Sequence, residues 1–297
     1  MTNRWMQAID IRNLIKQNRG VIGIALLFII GLSIMLYPAV SNWWNQRFAR
    51  QMVQSYDEMM HKGDIDFNKE IKKAKKYNRE LSPKSVPDAF SAKEHKRDLA
   101  YEKCLNPGGN SMMGYIKIPA IDVELPIYHY TNDGVFKKGV GHLCGSSLPI
   151  GDNGTHAVLS AHRGLPSAKL FTDLNLLKKG DEFYLHILNK KMAYEVDSIK
   201  VVRPNQTSSL QIEKGKDYVT LITCTPYGVN SHRLLVRGHR VPYKETDSSV
   251  RRTNASHLIR IFLCILAGCG MAVIMGRFLD RRKKKMSIFN IWRHRIK

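Results

Sequence analysis

From Gly20 to Val40 the chain reads GVIGIALLFIIGLSIMLYPAV, twenty-one residues without a single charge. At about 1.5 Å of helical rise per residue such a run spans roughly 30 Å, the thickness of a bilayer's hydrocarbon core. A segment of this kind fixes where everything after it must fold. Residues 1–19 are polar and basic (Arg4, Arg12, Lys16, Arg19), and Trp43 and Trp44 follow at the position where Trp favours the membrane interface. A cleaved signal peptide shares the order of basic residues then apolar core. The run is long for one, however, and no A-x-A pattern follows, so an uncleaved anchor over 20–40 is expected.

A second apolar run, Ile261 to Gly276, is bracketed by Arg260 and Arg277. Its sixteen residues reach only about 24 Å, short for a span. Leu258 and Ile259 extend it, and Arg260 can snorkel to the surface. A buried core helix has the same composition. The basic stretch RFLDRRKKK that follows, typical of a cytoplasmic flank, favours a span over 258–276. Two basic tails, 1–19 and 277–297, then put both termini in the cytoplasm and the segment between the spans outside it. This placement accounts for much of the formal net charge of +22. Another cluster, Lys69 to Lys76, reads as the solvated face of a helix, and no aromatic residues interleave with the cations as base stacking requires. Nucleic acid is therefore not an expected partner.

Between the spans the pattern changes twice. Trp44 to about Asn78 reads as helix, with Phe48, Met52, Tyr56, Met59 and Met60 at helical spacing. LSPKSVPDAFSAKEHK, from Leu81, is broken by Pro83 and Pro87 into an irregular segment, with a helical restart over Ala92–Leu105. From about residue 111 to 245, short β-rich pieces (GYIKIPAIDVELPIYHY, HAVLSAH, EFYLHIL, MAYEVDSIKVV, YVTLITC) are separated by Gly, Asn or Pro. Only FTDLNLL looks like a helical turn. Many short strands with few helices predict a mostly β domain, a closed or nearly closed barrel. Residues 246–257 are left as a linker to the second span.

Chemistry concentrates in Tyr218–Arg240, which reads as two strands joined by a loop holding Pro226, Gly228 and Asn230. Cys224 ends the first strand and Arg233 opens the second, so a thiol and a guanidinium face each other across the loop mouth. A small buried Cys beside a solvated Arg fits the same pattern. A cysteine nucleophile needs a partner that keeps thiolate available and protonates a leaving amine, which histidine does. Of eleven histidines, His162 closes an apolar strand just before a turn at Gly164 and Pro166; His142 and His156 are the competitors. Five cysteines are present, and Cys264 and Cys269 lie in the second apolar run. A bridge between Cys104 and Cys144 stays open. No Cys/His spacing indicates zinc and no cofactor is expected, while the scattered Asp122, Glu124, Asp133 and Asp152 leave a loop cation open.

TLITC, at Thr220–Cys224, matches the T-L-x-T-C motif of sortases, the thiol transpeptidases of Gram-positive cell surfaces. The continuation TPYGVNSHRLLVRG and the stretch GVGHLCGSSLPIGDNGTHAVLSAHRGLPSAKLFTDLNLLKKGDEFYL resemble the class C, pilin-polymerising branch, over about residues 114–243. The resemblance implies a sortase-type closed barrel of about eight strands with short helices, an N-terminal helical and lid region over 41–110, and two flanking transmembrane helices. It implies Cys224 as nucleophile, His162 as its histidine partner and Arg233 on the oxyanion side. The reaction implied is cleavage of an LPXTG-like sorting signal between Thr and Gly through a thioacyl-enzyme. A pilin lysine then accepts the acyl group. Attachment to a peptidoglycan amine, hydrolysis, and a non-catalytic membrane-tethered assembly module are the competing readings.

Class C sortases also carry a lid with an Asp-Pro-aromatic tripeptide over the active site. Asp88-Ala89-Phe90 matches its outer positions and lacks the proline, within a lid of about 81–95. By this resemblance Asp88 pairs with Arg233 and Phe90 covers Cys224. At a barrel rim that ion pair is expected to contribute only about 0–1 kcal/mol.

Overall fold

The computed structural model describes residues 19–62, 65–81, 86–90, 97–244 and 268. The second apolar run, apart from Gly268, lies outside them, as do residues 1–18 of the first basic tail, the second basic tail, the linker, and residues 82–85 and 91–95 of the expected lid. The chain divides into two units, Met1–Leu36 with Arg251–Lys297, and Tyr37–Val250. The described part of the first belongs chiefly to helix α1, Arg19–Lys62, whose apolar side chains there, Leu27 and Ile34 among them, are exposed. By length and composition α1 is able to cross a membrane.

The helix expected from Trp44 to Asn78 is two helices. α1 stops at Lys62, and α2, Phe67–Glu80, starts anew with the Asp66 side chain accepting from the Lys69 N–H at 3.0 Å. Such a cap satisfies an amide that a helix start leaves orphaned, and the periodicity of apolar residues does not register it. Ala49, Val53 and Tyr56, spaced i, i+4, i+7, form the buried face of the latter part of α1. The Tyr56 hydroxyl donates to Met113 O and accepts from Leu188 N, both at 2.8 Å. From α2, Asn78 accepts from Leu148 N (2.7 Å) and donates to Leu148 O (3.1 Å). Of the restart expected over Ala92–Leu105, the described portion holds one short helix, α3 (Leu99–Glu102), capped by Asp98. FTDLNLL contributes a single 3₁₀ turn, Leu174–Leu176.

The strands are β1 (Met112–Ile118), β2 (Val123–His129), β3 (Val140–His142), β4 (Thr155–Ser160), β5 (Glu182–Ile187), β6 (Lys190–Val202), β7 (Asp217–Thr225) and β8 (His232–Val241), with a short helix α4 (Asp133–Phe136) before β3. They close into one barrel in the order β1-β2-β3-β4-β7-β8-β6-β5. Closure leaves no open edge. Pairing is antiparallel except between β2 and β3 and between β4 and β7, which run parallel.

Strand alternation sorts the side chains into two layers. Leu159, Leu221, Leu234 and Val236 belong to the main core cluster inside the barrel. Their neighbours Val158, Ile222 and Leu235 lie on the other face and form a second cluster with Leu143, Leu210, Val86 and Ala89, against which Phe90 packs. Val86–Phe90 is thus fastened to the barrel's outer face. Each large apolar side chain so covered contributes roughly 1.5–3 kcal/mol. Cys104, Cys144 and Cys224 are all free thiols, so no bridge joins Cys104 to Cys144.

Candidate active site

Register brings the three expected residues to one end of three neighbouring strands. In the parallel β4–β7 ladder Ser160 faces Ile222. The pairing continues past the strand end: Ala161 N donates to Ile222 O at 3.2 Å, and Thr223 Oγ1 donates to Ala161 O at 2.8 Å. His162 therefore leaves β4 beside Cys224. Across the antiparallel β7–β8 ladder, Cys224 is the direct partner of Arg233. By alternation Cys224 shares the face of Ile222, and Arg233 that of Leu235, the face carrying the second cluster.

That face is covered. Arg233 Nε and Nη2 donate to Asp88 Oδ1 and Oδ2, each at 2.8 Å. The Phe90 ring lies 4.9 Å from Phe136 at 22° between planes and 5.8 Å from the His162 ring. The Arg233 guanidinium carbon sits 5.1 Å from the Phe90 centroid. Phe136, which the sequence reading did not single out, also lies 4.9 Å from His162. Cys224 is 7% exposed.

The expectation of a weak rim pair does not hold. Both side chains of the Asp88–Arg233 pair are only 9% exposed. A forked, charge-assisted pair shielded from water is a strong contact, and removing one member strands the other charge. Two further bonds from Arg233 Nη1, to Asn230 O (3.1 Å) and His232 O (3.2 Å), fix the fork on the loop.

Burial sets the protonation states. It pushes the Cys224 thiol up; the Arg233 charge opposes the rise and the Asp88 carboxylate adds to it. It pushes His162 down, with Asp133 working the other way. In this covered arrangement the neutral thiol and neutral imidazole are favoured. A thiol, an imidazole and a guanidinium so arranged have the makings of acyl transfer: a nucleophile, a proton carrier and a cation for a developing oxyanion.

The competing histidines are occupied structurally. His142 Nδ1 lies 2.7 Å from the Tyr101 hydroxyl and Nε2 2.8 Å from Ser147 O, and burial pushes it down to about 3. His156 Nε2 meets Thr220 Oγ1 at 2.7 Å and Nδ1 meets Gln211 O at 2.9 Å. A second thiol and imidazole, Cys104 and His129, also lie close together. Here His129 Nε2 meets the Cys104 backbone carbonyl at 2.8 Å, Nδ1 meets Ser111 O at 3.0 Å, and the thiol donates to Ala100 O. Burial pushes that thiol up to about 11. With both ring nitrogens engaged by backbone, His129 has none to offer Cys104 as a base.

Among the described residues no group of three or more His, Cys, Asp or Glu is placed to hold a metal ion. Glu124 pairs with Lys117 and Asp152 with Lys75. A cleft of about 750 Å³ includes Tyr115 and His186 of β1 and β5, well away from Cys224 in strand order, and is no part of this site.

The sortase domain family matches residues 116–241. Sortase D of Bacillus subtilis is 31% identical over 159 residues, covering 52% of this chain and 77% of that protein. Sortase A of Bacillus anthracis is 29% identical over 154 residues, covering 52% and 71%. Among solved structures, sortase C-1 of Actinomyces oris is 47% identical with a TM-score of 0.57, covering 59% of this chain and 98% of that one. Sortase C-1 of Streptococcus pneumoniae is 45% identical with a TM-score of 0.61, covering 65% and 100%. Likeness in the closed barrel thus coincides with likeness in the residues that build it, and the chain belongs to the sortase family, whose members are cysteine transpeptidases.

Proposed function

We propose that this protein is a membrane-anchored class C sortase that polymerises pilins, with Cys224 as nucleophile, His162 as proton carrier and Arg233 as oxyanion partner. The observation that carries the reading is the convergence of these side chains on one face at the ends of β4, β7 and β8. The Cys224 thiolate attacks the Thr carbonyl carbon of an LPXTG-like signal, and Arg233 hydrogen-bonds the resulting oxyanion. As the C–N bond to Gly breaks, His162 as imidazolium gives its proton to the departing amine, leaving a thioacyl-enzyme. A neutral pilin lysine amine then attacks the thioester. His162 takes up its proton and Cys224 leaves as thiolate, which restores the starting pair.

The pilin assignment is supported by the solved sortases C, among them a "Pilus-related Sortase C of Group B Streptococcus" at 41% identity. Val86–Phe90 acts as a lid: Asp88 holds Arg233 and Phe90 rests on His162 until substrate displaces them. The anchor is the apolar part of α1, over 20–40, with a second span over 258–276, both termini in the cytoplasm and the barrel outside it. The domain limits follow: helical and lid region 41–110, catalytic barrel 111–245, linker 246–257.

The test uses the full chain in detergent or nanodiscs with a pilin whose acceptor lysine is intact or replaced. Lysine-dependent ladders on a denaturing gel are expected. No ladder, with transfer to a peptidoglycan amine instead, assigns the protein to wall anchoring. Cys224→Ala is expected to abolish the thioacyl-enzyme seen by intact mass with an LPXTG peptide; a persisting adduct sinks the site assignment.

A further inference from the structure

We infer that Arg163 is a positioning residue that holds His162 at its working distance from Cys224, from behind the site. The inference rests on the roles just proposed for those two residues. Arg163 follows His162 directly, yet its partners lie far along the chain. Its Nη1 donates to Thr225 Oγ1 at 2.9 Å, and its Nη2 donates to Asn175 Oδ1 at 2.9 Å. Thr225 is the residue after Cys224, and Asn175 belongs to the 3₁₀ turn Leu174–Leu176. The residue after the proton carrier is thus tied to the residue after the nucleophile.

Consecutive residues of a strand project to opposite faces. Thr225 therefore leaves β7 on the side away from the Cys224 thiol and the lid. A bond made there can set the spacing of the two strand ends without touching a substrate on the lid side.

The surrounding loop makes the tie rigid. Phe171 N donates to His162 O at 3.2 Å, and Gly164 N donates to Thr172 Oγ1 at 3.2 Å. Gly164 sits at φ +76°, and a Cβ there would come within 2.8 Å of the Tyr227 ring, so the β7–β8 loop packs directly on this backbone. Arg163 Nε is buried without a hydrogen-bond partner, so the two Nη bonds alone orient the fork. A planar guanidinium can serve both acceptors at once with its fixed fork, whereas a lysine brings a single ammonium on a flexible stem.

Proton transfer in both half-reactions depends on the His162–Cys224 spacing, whereas binding of the sorting signal on the lid side does not. Loss of the clamp is therefore read in kcat rather than KM. The experiment compares full-length wild type with Arg163→Ala, Arg163→Lys, Thr225→Val and Thr225→Ser. It measures kcat and KM for transpeptidation, the pH–rate profile, and melting. Expected is a tenfold or greater fall in kcat for R163A, R163K and T225V with KM within twofold, a displaced acid limb of the pH profile, and recovery in T225S, which keeps the hydroxyl.

A purely structural role predicts a lower melting temperature with kcat intact below it, and kcat within twofold of wild type in folded R163A overturns the inference. If R163A does not fold, T225V decides: a loss of kcat in the folded protein supports the clamp and unchanged kcat removes it. Cys224→Ala run in parallel keeps the two questions apart. A dead C224A beside a fully active R163A overturns only the clamp, and an active C224A overturns the site reading on which it rests.

Discussion

Arg233 grips Asp88 with two parallel hydrogen bonds of 2.8 Å, at a depth where each side chain is 9% exposed. The guanidinium proposed to receive an oxyanion is thus already holding a carboxylate of its own chain. On that proposal, substrate replaces a geometrically matched anion rather than entering an open groove.

Removing that carboxylate forces a choice. With the lid shut, Asp88→Ala leaves a buried, uncompensated guanidinium at a cost of about 3 kcal/mol or more. Opening the lid hydrates it instead. We expect D88A to raise the rate of Cys224 alkylation by a small thiol reagent tenfold or more, and Phe90→Ala to raise it severalfold. Unchanged labelling in both variants would remove the lid from the mechanism.

The same variant moves a titration. Burial raises the Cys224 thiol, Arg233 lowers it and Asp88 raises it. Taking away Asp88 and admitting water removes both raising causes and leaves the lowering one. The midpoint of the alkylation-rate profile against pH should therefore lie above the ordinary thiol range in wild type and shift to lower pH in D88A. A midpoint that stays in place, or rises, contradicts this assignment of causes.

Cys104 supplies the contrast. Its thiol is pushed up to about 11, and the nearby His129 is engaged by backbone carbonyls at both nitrogens. Cys104→Ser should keep thioacyl formation within twofold and lose no more than about 1 kcal/mol of stability. Intact-mass acylation and a denaturant titration check both. Abolished acylation in a folded C104S would move the nucleophile away from the barrel-end site.

Acid should weaken the fold through buried histidine. The folded pKa of His142 is depressed from 6.5 to about 3. Below about pH 6.5 the unfolded chain takes up a proton that the folded one refuses, so stability is full above that value and declines as pH falls towards 3. Between pH 7 and 5 this group alone costs about 2 kcal/mol, and His129 and His156, also depressed, act in the same direction. Urea midpoints at the two pH values test it. His142→Gln should narrow the difference by that amount, and an equally steep dependence in H142Q would exclude His142 as its source.

Much of the barrel was legible in the sequence because it is written locally. Alternation in HAVLSAH and YVTLITC marks strands, and turn residues mark their ends. The parallel pairing of β4 with β7 was not legible, since it joins strands separated by two others in sequence and no local pattern encodes it. The depth of the Asp88–Arg233 pair escaped for a related reason: burial there depends on Val86 and Ala89 docking against Val158, Ile222 and Leu235. Arg163 escaped as well, its partners lying 62 and 12 residues away. Asp66 was readable as a cap in principle, and the helical stripe of methionines and tyrosines obscured it.

The β4–β7 ladder also zones the chain's tolerance of length change. A strand has a period of two, so deleting one residue from Ala157–Ser160 turns the His162 side chain towards the barrel interior and away from Cys224. Within the intervening stretch 203–216, Lys216 O extends the ladder by accepting from Gly154 N and Thr155 N, and Gln211 O meets His156 Nδ1. Residues 203–206 instead form a turn closed by Gln206 N donating to Arg203 O at 3.0 Å. Residues can be added at that turn while the imidazole stays beside the thiol. Novelty in this protein is therefore cheap in the turn just after β6 and prohibitive within the four residues 157–160 of β4.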